Sequence, residues 1–542
     1  MQAMLPIAGS ALAIQPAATG NTSAASNDAT QASVALAPSA SVTLTDLQAA
    51  LAAQTYTPAG SLNPAVASWE SEAADTITSI MSRNYAAGTL GGRFAGLGAA
   101  LMGHLATDGG NYAQSVLRSA SADPANATAL DQVRRSQLHN QADNQVTLQI
   151  QTRGGASVTL TLGSQAGGLA VQIQVSNGTL SDAERNALAG LGAAFQAAID
   201  GLAGEPPTLA LEGLTRFDSS VLSSVDLNAS FTLADGSAQT LAFHADSQQR
   251  SVAFTGAIGT VSVNVDMSNA GLIGSAEQQA RALDTYVSQI EQAGIRGRGN
   301  ASLVQMFEDA FTTLNSHYPP QTGAPVAAAG KPIGLDDTDR GMLTGLADFS
   351  ASVRASAAPS INPLQPDELD TFAYQFSQQT RVEGADARNR SIEQSQQAHL
   401  TASYHQSLYP DTPLNLTDKP ESQNYYFYQL DDTASSVARI GYRDGALVEA
   451  SIEQSANRST RIMKYVMGDL QQDAIMPSQV SRTFDLLDRL GPGEPDNRSP
   501  GSLDMAIWRD TLAAASSLAL MKTDPALLRA ARFDMTAGHT AR

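Results

Sequence analysis

Apolar residues recur along this chain with two different spacings, and the points where the spacing changes predict its elements. Between residues 145 and 176 they alternate with Thr and Gln. Val146, Leu148 and Ile150 come first, then Val158, Leu160 and Leu162 after Gly154-Gly155, then Leu169, Val171, Ile173 and Val175 after Gly167-Gly168. A two-residue period puts these side chains on one face, which predicts three antiparallel strands joined by glycine turns with the Thr and Gln face wet. The plan returns with Val225, Leu227, Phe231 and Leu233, then Leu241 and Phe243, Val252 and Phe254, and Val261, Val263 and Val265; Asp235-Gly236 is the first hairpin signal. A third cluster, at about 424–467, holds Tyr425, Tyr426, Phe427 and Tyr428, then Ile440 and Tyr442, Val448 and Ile452, and Ile462, Tyr465 and Val466. Asp444-Gly445 forms its central turn.

Elsewhere the period is helical. Leu44, Leu47 and Leu51 predict a helix ending near Pro58, Trp69, Ile77, Ile80 and Met81 a second over 64–84, and a Gly- and Ala-rich run a third over 90–105. Ser181 and Glu184 stand at capping-box spacing ahead of Leu188, Leu191, Phe195 and Ile199. Further helices are predicted at 275–293, 301–315, 337–356, 366–382, 386–407, 478–490 and 503–521. The fold class is therefore α+β, with antiparallel β-meanders packed with helices and a disordered N-terminal tail. The division expected is a tail over 1–40, a helical region over 41–140 and a meander-and-helix module over 141–318, whose halves share a pattern. A Pro-, Gly- and Ala-rich linker at 319–335 and a C-terminal helical domain at 336–542, carrying the third meander, complete it.

Composition narrows the class of partner. Of 542 residues, 32 are basic and 52 acidic, a net charge of -20 that repels a phosphate backbone and an anionic lipid surface. Nucleic acid is not expected as a partner, since the basic pairs Arg134-Arg135 and Arg296, Arg298 are isolated. A protein partner is. Exposed sheet edges favour self-association and the charge opposes it. Lysine is confined to Lys331, Lys419, Lys464 and Lys522, an arginine bias that, with abundant Ala and Gly, matches a GC-rich bacterial genome. The absence of cysteine removes disulfides, thiolate metal sites and a thiol nucleophile together. No apolar run is long enough for a transmembrane helix. Before Asp28 there is no charge, and the first basic residue is Arg83, so a Sec-type signal is not expected. The chain is expected to be cytoplasmic, or to leave by a route independent of a signal peptide, because the uncharged Ser-, Thr- and Ala-rich tail resembles the export signals of type III secretion substrates.

The local signatures of enzymes are missing. Neither Gly96 and Gly98 nor Gly297 and Gly299 complete the third glycine of a dinucleotide turn, and Lys331 is followed by Pro332 instead of a P-loop hydroxyl. No GxSxG or SxxK occurs. The histidines, His104, His139, His244, His317, His399, His405 and His539, never stand three or four residues apart, so no metal and no cofactor are expected. Asp336, Asp337 and Asp339 lack the distal Glu of a calcium loop and suit the start of a helix. In a chain that is 5% aromatic, Tyr425, Tyr426, Phe427 and Tyr428 form the candidate interaction surface, with alternate rings pointing to opposite sides of a strand.

The runs Ser82-Arg-Asn-Tyr, Arg93-Phe-Ala-Gly-Leu-Gly, Gln114-Ser-Val-Leu-Arg, Leu180-Ser-Asp-Ala-Glu-Arg, Phe217-Asp-Ser-Ser-Val and Phe243-His-Ala-Asp-Ser resemble an uncharacterised family of proteobacterial proteins over most of the chain. The resemblance implies a bacterial protein and carries no established activity. A lactate dehydrogenase label attached to similar sequences conflicts with the missing dinucleotide turn and the antiparallel pattern. The first expectation is a non-enzymatic binding or structural protein presenting polar Ser, Thr and Gln faces, and exported if the tail is a signal. The alternative is a hydrolase-type enzyme with a site assembled from sequence-distant residues, for which His244 and Asp246 on one strand face, with Asp218, are the candidates.

Overall fold

The structure is a computed structural model that describes residues 66–119, 124–233, 235–318, 325–328, 331–490 and 502–532. The expected tail and the helix at 43–58 lie outside the described residues. Short strand β1 (Val66–Trp69) leads into α1 (Thr76–Asn84), α2 (Leu90–Phe94), α3 (Leu97–Asp108), β2 (Tyr112–Ser119) and α4 (Pro124–Asn140). The first meander follows as β3 (Asn144–Thr152), β4 (Ser157–Gln165) and β5 (Gly168–Ser176), then α5 (Asp182–Gly190), α6 (Gly192–Leu202) and α7 (Glu212–Thr215). The second is β6 (Leu222–Thr232), β7 (Ala238–Asp246), β8 (Gln249–Gly256) and β9 (Gly259–Asp266), succeeded by the long helix α8 (Ala276–Gly297) and by α9 (Ala301–Leu314). After the hairpin β10 (Val326–Ala328) and β11 (Lys331–Ile333) come α10 (Asp337–Gly341), β12 (Asp348–Ala355), β13 (Thr371–Asp386), β14 (Asn389–Ser407), β15 (Tyr425–Arg443), β16 (Ala446–Val466) and β17 (Asp469–Asp485). Helices α11 (Leu487–Leu490), α12 (Ser502–Ala519) and α13 (Pro525–Ala530) finish the described chain.

The caps expected at Ser181 and at Asp336 hold: Ser181 and Glu184 close a capping box on α5, and Asp336 and Asp339 one on α10. Ser275 and Gln278 close a further one on α8. Turn chemistry sets the long hairpins: Asp444 and Gly445 both have positive φ (53° and 86°), the geometry of a two-residue turn that follows strand twist. Met467-Gly468 does the same before β17 (54° and 88°) without any sequence signal at Met467.

All strands except β10 and β11 join one antiparallel sheet of 15 strands in the order β1-β2-β5-β4-β3-β6-β7-β8-β9-β12-β13-β14-β15-β16-β17. The sheet crosses the expected linker without interruption. β9 pairs with β12 over its whole length, from Gly259 opposite Ala355 to Asp266 opposite Asp348, so the segment between them does not separate two sheets, and the described residues form one compact unit. Apolar alternate positions of this sheet, such as Val146, Leu227, Val263, Phe349 and Phe376, pack with Leu101, Phe195, Tyr286, Phe307 and Phe311 from the helices in one continuous core. The opposite face is covered by α4 at the β2–β5 end, where Leu138 packs on Leu117 and Ala170.

Three predicted helices, at 337–356, 366–382 and 386–407, are instead short α10 and strands β12, β13 and β14. The predicted helix at 478–490 is mostly β17, and the region 41–140, expected to be helical, contributes β1 and β2 to the sheet. The four runs read in the third meander merge into the two long strands β15 and β16. The physical reason is plain in β13 and β14: their core-facing positions include Gln378, Gln394, Gln396, Ala398 and Ala402, all buried, so the alternation of large apolar with polar residues is broken. Gln378 and Gln394 bond residues 344–347, while Gln396, with Gln454 and Ser436 of the next strands, binds the end of α12. Gln396 Nε2 donates to Ala519 O (2.8 Å), Gln454 Nε2 to Leu518 O (2.6 Å), Ser436 Oγ to Ala519 O (2.8 Å), and Met521 N–H donates to Gln396 Oε1 (3.0 Å). The carbonyls that a helix leaves without partners at its C-terminus are thus satisfied by the sheet.

Candidate functional site

From β9 to β16 the outward-pointing residues of neighbouring strands are Ser262; Ser350 and Ser352; Gln375 and Ser377; Gln397 and His399; Thr433 and Ser435; and Ser455. They line a concave trough of about 660 Å³ on the sheet face away from the helices. A second depression of about 850 Å³ adjoins it at Ser350 and runs past Asn264, Asp266, Gln379, Glu393 and Ser395. The two-residue period that sends Val263, Phe376 and Ala398 inward sends these neighbours outward, so core and trough are the same pattern read on alternate positions. The trough is lined by hydroxyls and amides, each able to donate and accept. His399 is its one ring nitrogen group, and Nε2 is held by Asp431 at 2.8 Å.

The structure brings His244 and Asp246 together and leaves Asp218 apart. His244 on β7 faces Asp226 directly across the β6 pairing, with Nδ1 2.6 Å from Asp226 Oδ1 and Nε2 3.3 Å from Asp246 Oδ2. Partial burial would lower the pKa of the ring, but the hydrogen bond and charge of Asp226, with the charge of Asp246, raise it. Nδ1 is thus hydrogen-bonded to Asp226 and Nε2 lies at ion-pair distance from Asp246, so both ring nitrogens face carboxylates. Asp218 instead accepts from the amide (2.9 Å) and hydroxyl (2.6 Å) of its neighbour Ser220.

The aromatic run divides between the two faces of β15. Tyr425 and Phe427 are buried, while Tyr426 and Tyr428 are half-buried on the other side. There Tyr428 stacks on Tyr404 with ring centres 5.0 Å apart, and the Arg298 guanidinium sits 4.6 Å over the Tyr404 ring. Only half of the predicted surface is therefore accessible.

The buried half belongs to a cluster that the sequence did not announce. Tyr425 OH donates to Glu368 Oε2 (2.8 Å) and accepts from Asn362 Nδ2 (2.8 Å); its ring stacks on Tyr465 at 4.7 Å. His405, on the trough side of β14, lies between Glu368 Oε2 (3.2 Å) and Asp370 Oδ1 (2.7 Å). Burial works against the His405 imidazolium, yet its bonds to Asp370 and Glu368 leave its pKa raised. Burial likewise opposes charge on Glu368, whose bonds from His405, Tyr425 and Tyr465 hold it lowered. These groups satisfy one another and fasten residues 360–370 over the end of the trough. Asp367 and Glu368 fall at the start of the helix predicted over 366–382, and only the pairing of β14 with β15 places His405 beside Tyr425 and Phe427.

Among the described residues no three His, Asp or Glu side chains are grouped to hold a metal ion, and no helix is long and apolar enough to cross a membrane. No protein-family model, curated protein or solved structure matches the chain. The function has to be argued from the site itself.

Proposed function

We propose that this chain is a non-enzymatic binding protein that receives a protein partner on the hydroxyl- and amide-lined trough of its sheet. The observation that carries this reading is the trough: six adjacent strands are left uncovered by helices and form a concave surface of about 660 Å³. Ser, Thr and Gln make up most of its polar lining, with His399 beside Asp431 the exception, in a chain whose net charge is -20. Such a surface offers dense, two-way hydrogen bonding with little charge to desolvate, which suits a polar, uncharged partner surface. The hydrolase alternative has less support, because both His244 nitrogens face carboxylates and Asp218 bonds to Ser220 instead. A bacterial setting rests on the sequence resemblance, and export on the uncharged stretch before Asp28.

Photo-cross-linking tests the reading. A photoreactive residue placed singly at the exposed positions Ser352, Gln375 and Gln397 is expected to give the same discrete adduct in cells that produce the protein. The same group at Arg443, on the tip of the β15–β16 hairpin, is expected to give none. Adducts from Arg443 alone, or none from any trough position, would overturn the assignment.

A further inference from the structure

Among the described residues six carboxylates are buried, and five of them have protein partners. Asp131 accepts from Ser68, Glu184 from Ser181, Asp339 from Arg390, Glu368 from His405 and Tyr425, and Asp432 from Arg296. Glu308, on α9, is 8% exposed and makes no hydrogen bond or ion pair. Its carboxylate stays open to the adjoining cavity, and a partly desolvated carboxylate without a protein partner is costly enough that its position calls for an explanation. It lines a cavity of about 450 Å³ on the helix side of the molecule, bounded by residues 208–212, by Val287 of α8 and by the last turns of α9. The site is independent of the trough.

We propose that this cavity binds a small organic cation, a primary ammonium on a short apolar chain, with Glu308 as its counter-ion. The surrounding charges select the sign. Glu291 on α8 and Asp309 next to Glu308 both add negative potential. Glu212 is paired with Arg216, whose Nη2 also contacts His317 Nε2 at 2.8 Å, so the cationic groups at the cavity are already engaged. Leu209 and Val287 supply apolar wall, while the hydroxyls of Thr312 and Thr313 can accept from the remaining ammonium hydrogens. The volume falls within the range of small-molecule sites. A metal ion is disfavoured because no three His, Asp or Glu side chains are grouped there among the described residues. Burial, with Glu291 and Asp309, pushes the Glu308 carboxyl up to about 7, so the group gives up its proton in the neutral range and a bound cation would restore the missing partner.

The test is calorimetric titration of the full chain with n-butylammonium chloride, with 1-butanol as the uncharged control. Binding of butylammonium is expected to strengthen about tenfold between about pH 6 and about pH 8 as Glu308 ionises, the probe itself staying protonated. Butanol is expected to show neither the affinity nor the pH dependence. Glu308→Gln, which removes a buried charge and is expected to fold, should weaken butylammonium at least about tenfold at the higher pH and abolish its pH dependence. As a measurement on the unaltered protein, the carbon-13 carboxyl titration of Glu308 is expected to move to lower pH when the probe is added. Equal binding by Glu308→Gln, an unmoved Glu308 titration, or no saturable binding by the wild type would each overturn the proposal.

Discussion

Gln396 and Gln397 are adjacent and chemically identical, and the structure assigns them opposite fates. Gln396 is fully buried on the core side, where its carbonyl accepts from Met521 N–H (3.0 Å) and Tyr286 OH (2.9 Å) and its amide donates to Ala519 O (2.8 Å). Gln397 is exposed in the trough. Gln396→Leu keeps the volume and removes all three bonds. Ala519 O retains Ser436 Oγ at 2.8 Å and Tyr286 OH retains a long contact to Gln378 Oε1 at 3.4 Å, whereas Met521 N–H is left alone. One orphaned buried donor and two weakened bonds sum to about 2–4 kcal/mol, or roughly 30- to 1,000-fold in the opening equilibrium of this region. Gln397→Leu is expected to cost no more than about 0.5 kcal/mol. Native-state hydrogen exchange at the Met521 amide, with urea unfolding of both variants, measures the difference. Equal costs, or a larger cost for Gln397→Leu, would refute the assignment of faces.

Arg390 is buried, contacts Asp336 and Asp339 and lies 3.8 Å over the Tyr442 ring, so Arg390→Met is expected to cost about 3–5 kcal/mol in denaturant unfolding. Burial and the charge of Asp336 push the Asp339 carboxyl up to about 6; the folded state therefore takes up its proton first, and the loss should be smaller at about pH 5 than at about pH 8. The His405 clasp has limits on both sides. His405, with its pKa raised, stabilises fully below about pH 6.5 and loses its contribution as pH rises through the folded value, while Glu368, with its pKa lowered, stabilises above about pH 4.5 and loses its contribution as pH falls through its own. Limited proteolysis within residues 356–370 is expected to be slowest between these limits, and His405→Gln to remove the alkaline limb. Gln289 Oε1, Tyr374 OH and Arg458 Nε lack hydrogen-bond partners and belong to residues lining a 30 Å³ cavity, room for one water, so a crystal structure with ordered solvent is expected to place a water there.

The two N-terminal meanders were legible in the sequence because Val, Leu and Phe occupy nearly every inward position of β3–β9, and the cap of α5 follows from adjacent residues. The C-terminal strands were hidden by chemistry specific to this fold. Inward Gln396 on β14 and Gln454 on β16 serve the backbone at the end of α12, more than a hundred residues away for Gln396, a pairing that no local window contains. The continuity of β9 with β12 was concealed for a related reason: a Pro- and Gly-rich composition predicts a flexible connection but not whether the strands on either side of it pair. Of the site, alternation predicted a wet Thr and Gln face on the first meander, and single charged residues such as His244 could be marked. The trough required the strand order, and the His405 cluster required β14 to lie against β15, so neither was visible before the topology.

The central claim, that the polar trough is the binding surface, is tested most directly by using the wild-type chain and a Ser352→Glu, Gln375→Glu, Gln397→Glu variant as parallel baits and quantifying what each retains. The account predicts a specific protein held by the wild type and lost by the variant, whose unchanged circular dichroism and melting show an intact sheet, because three carboxylates would have to be desolvated at the contact. A partner retained equally by both would contradict it.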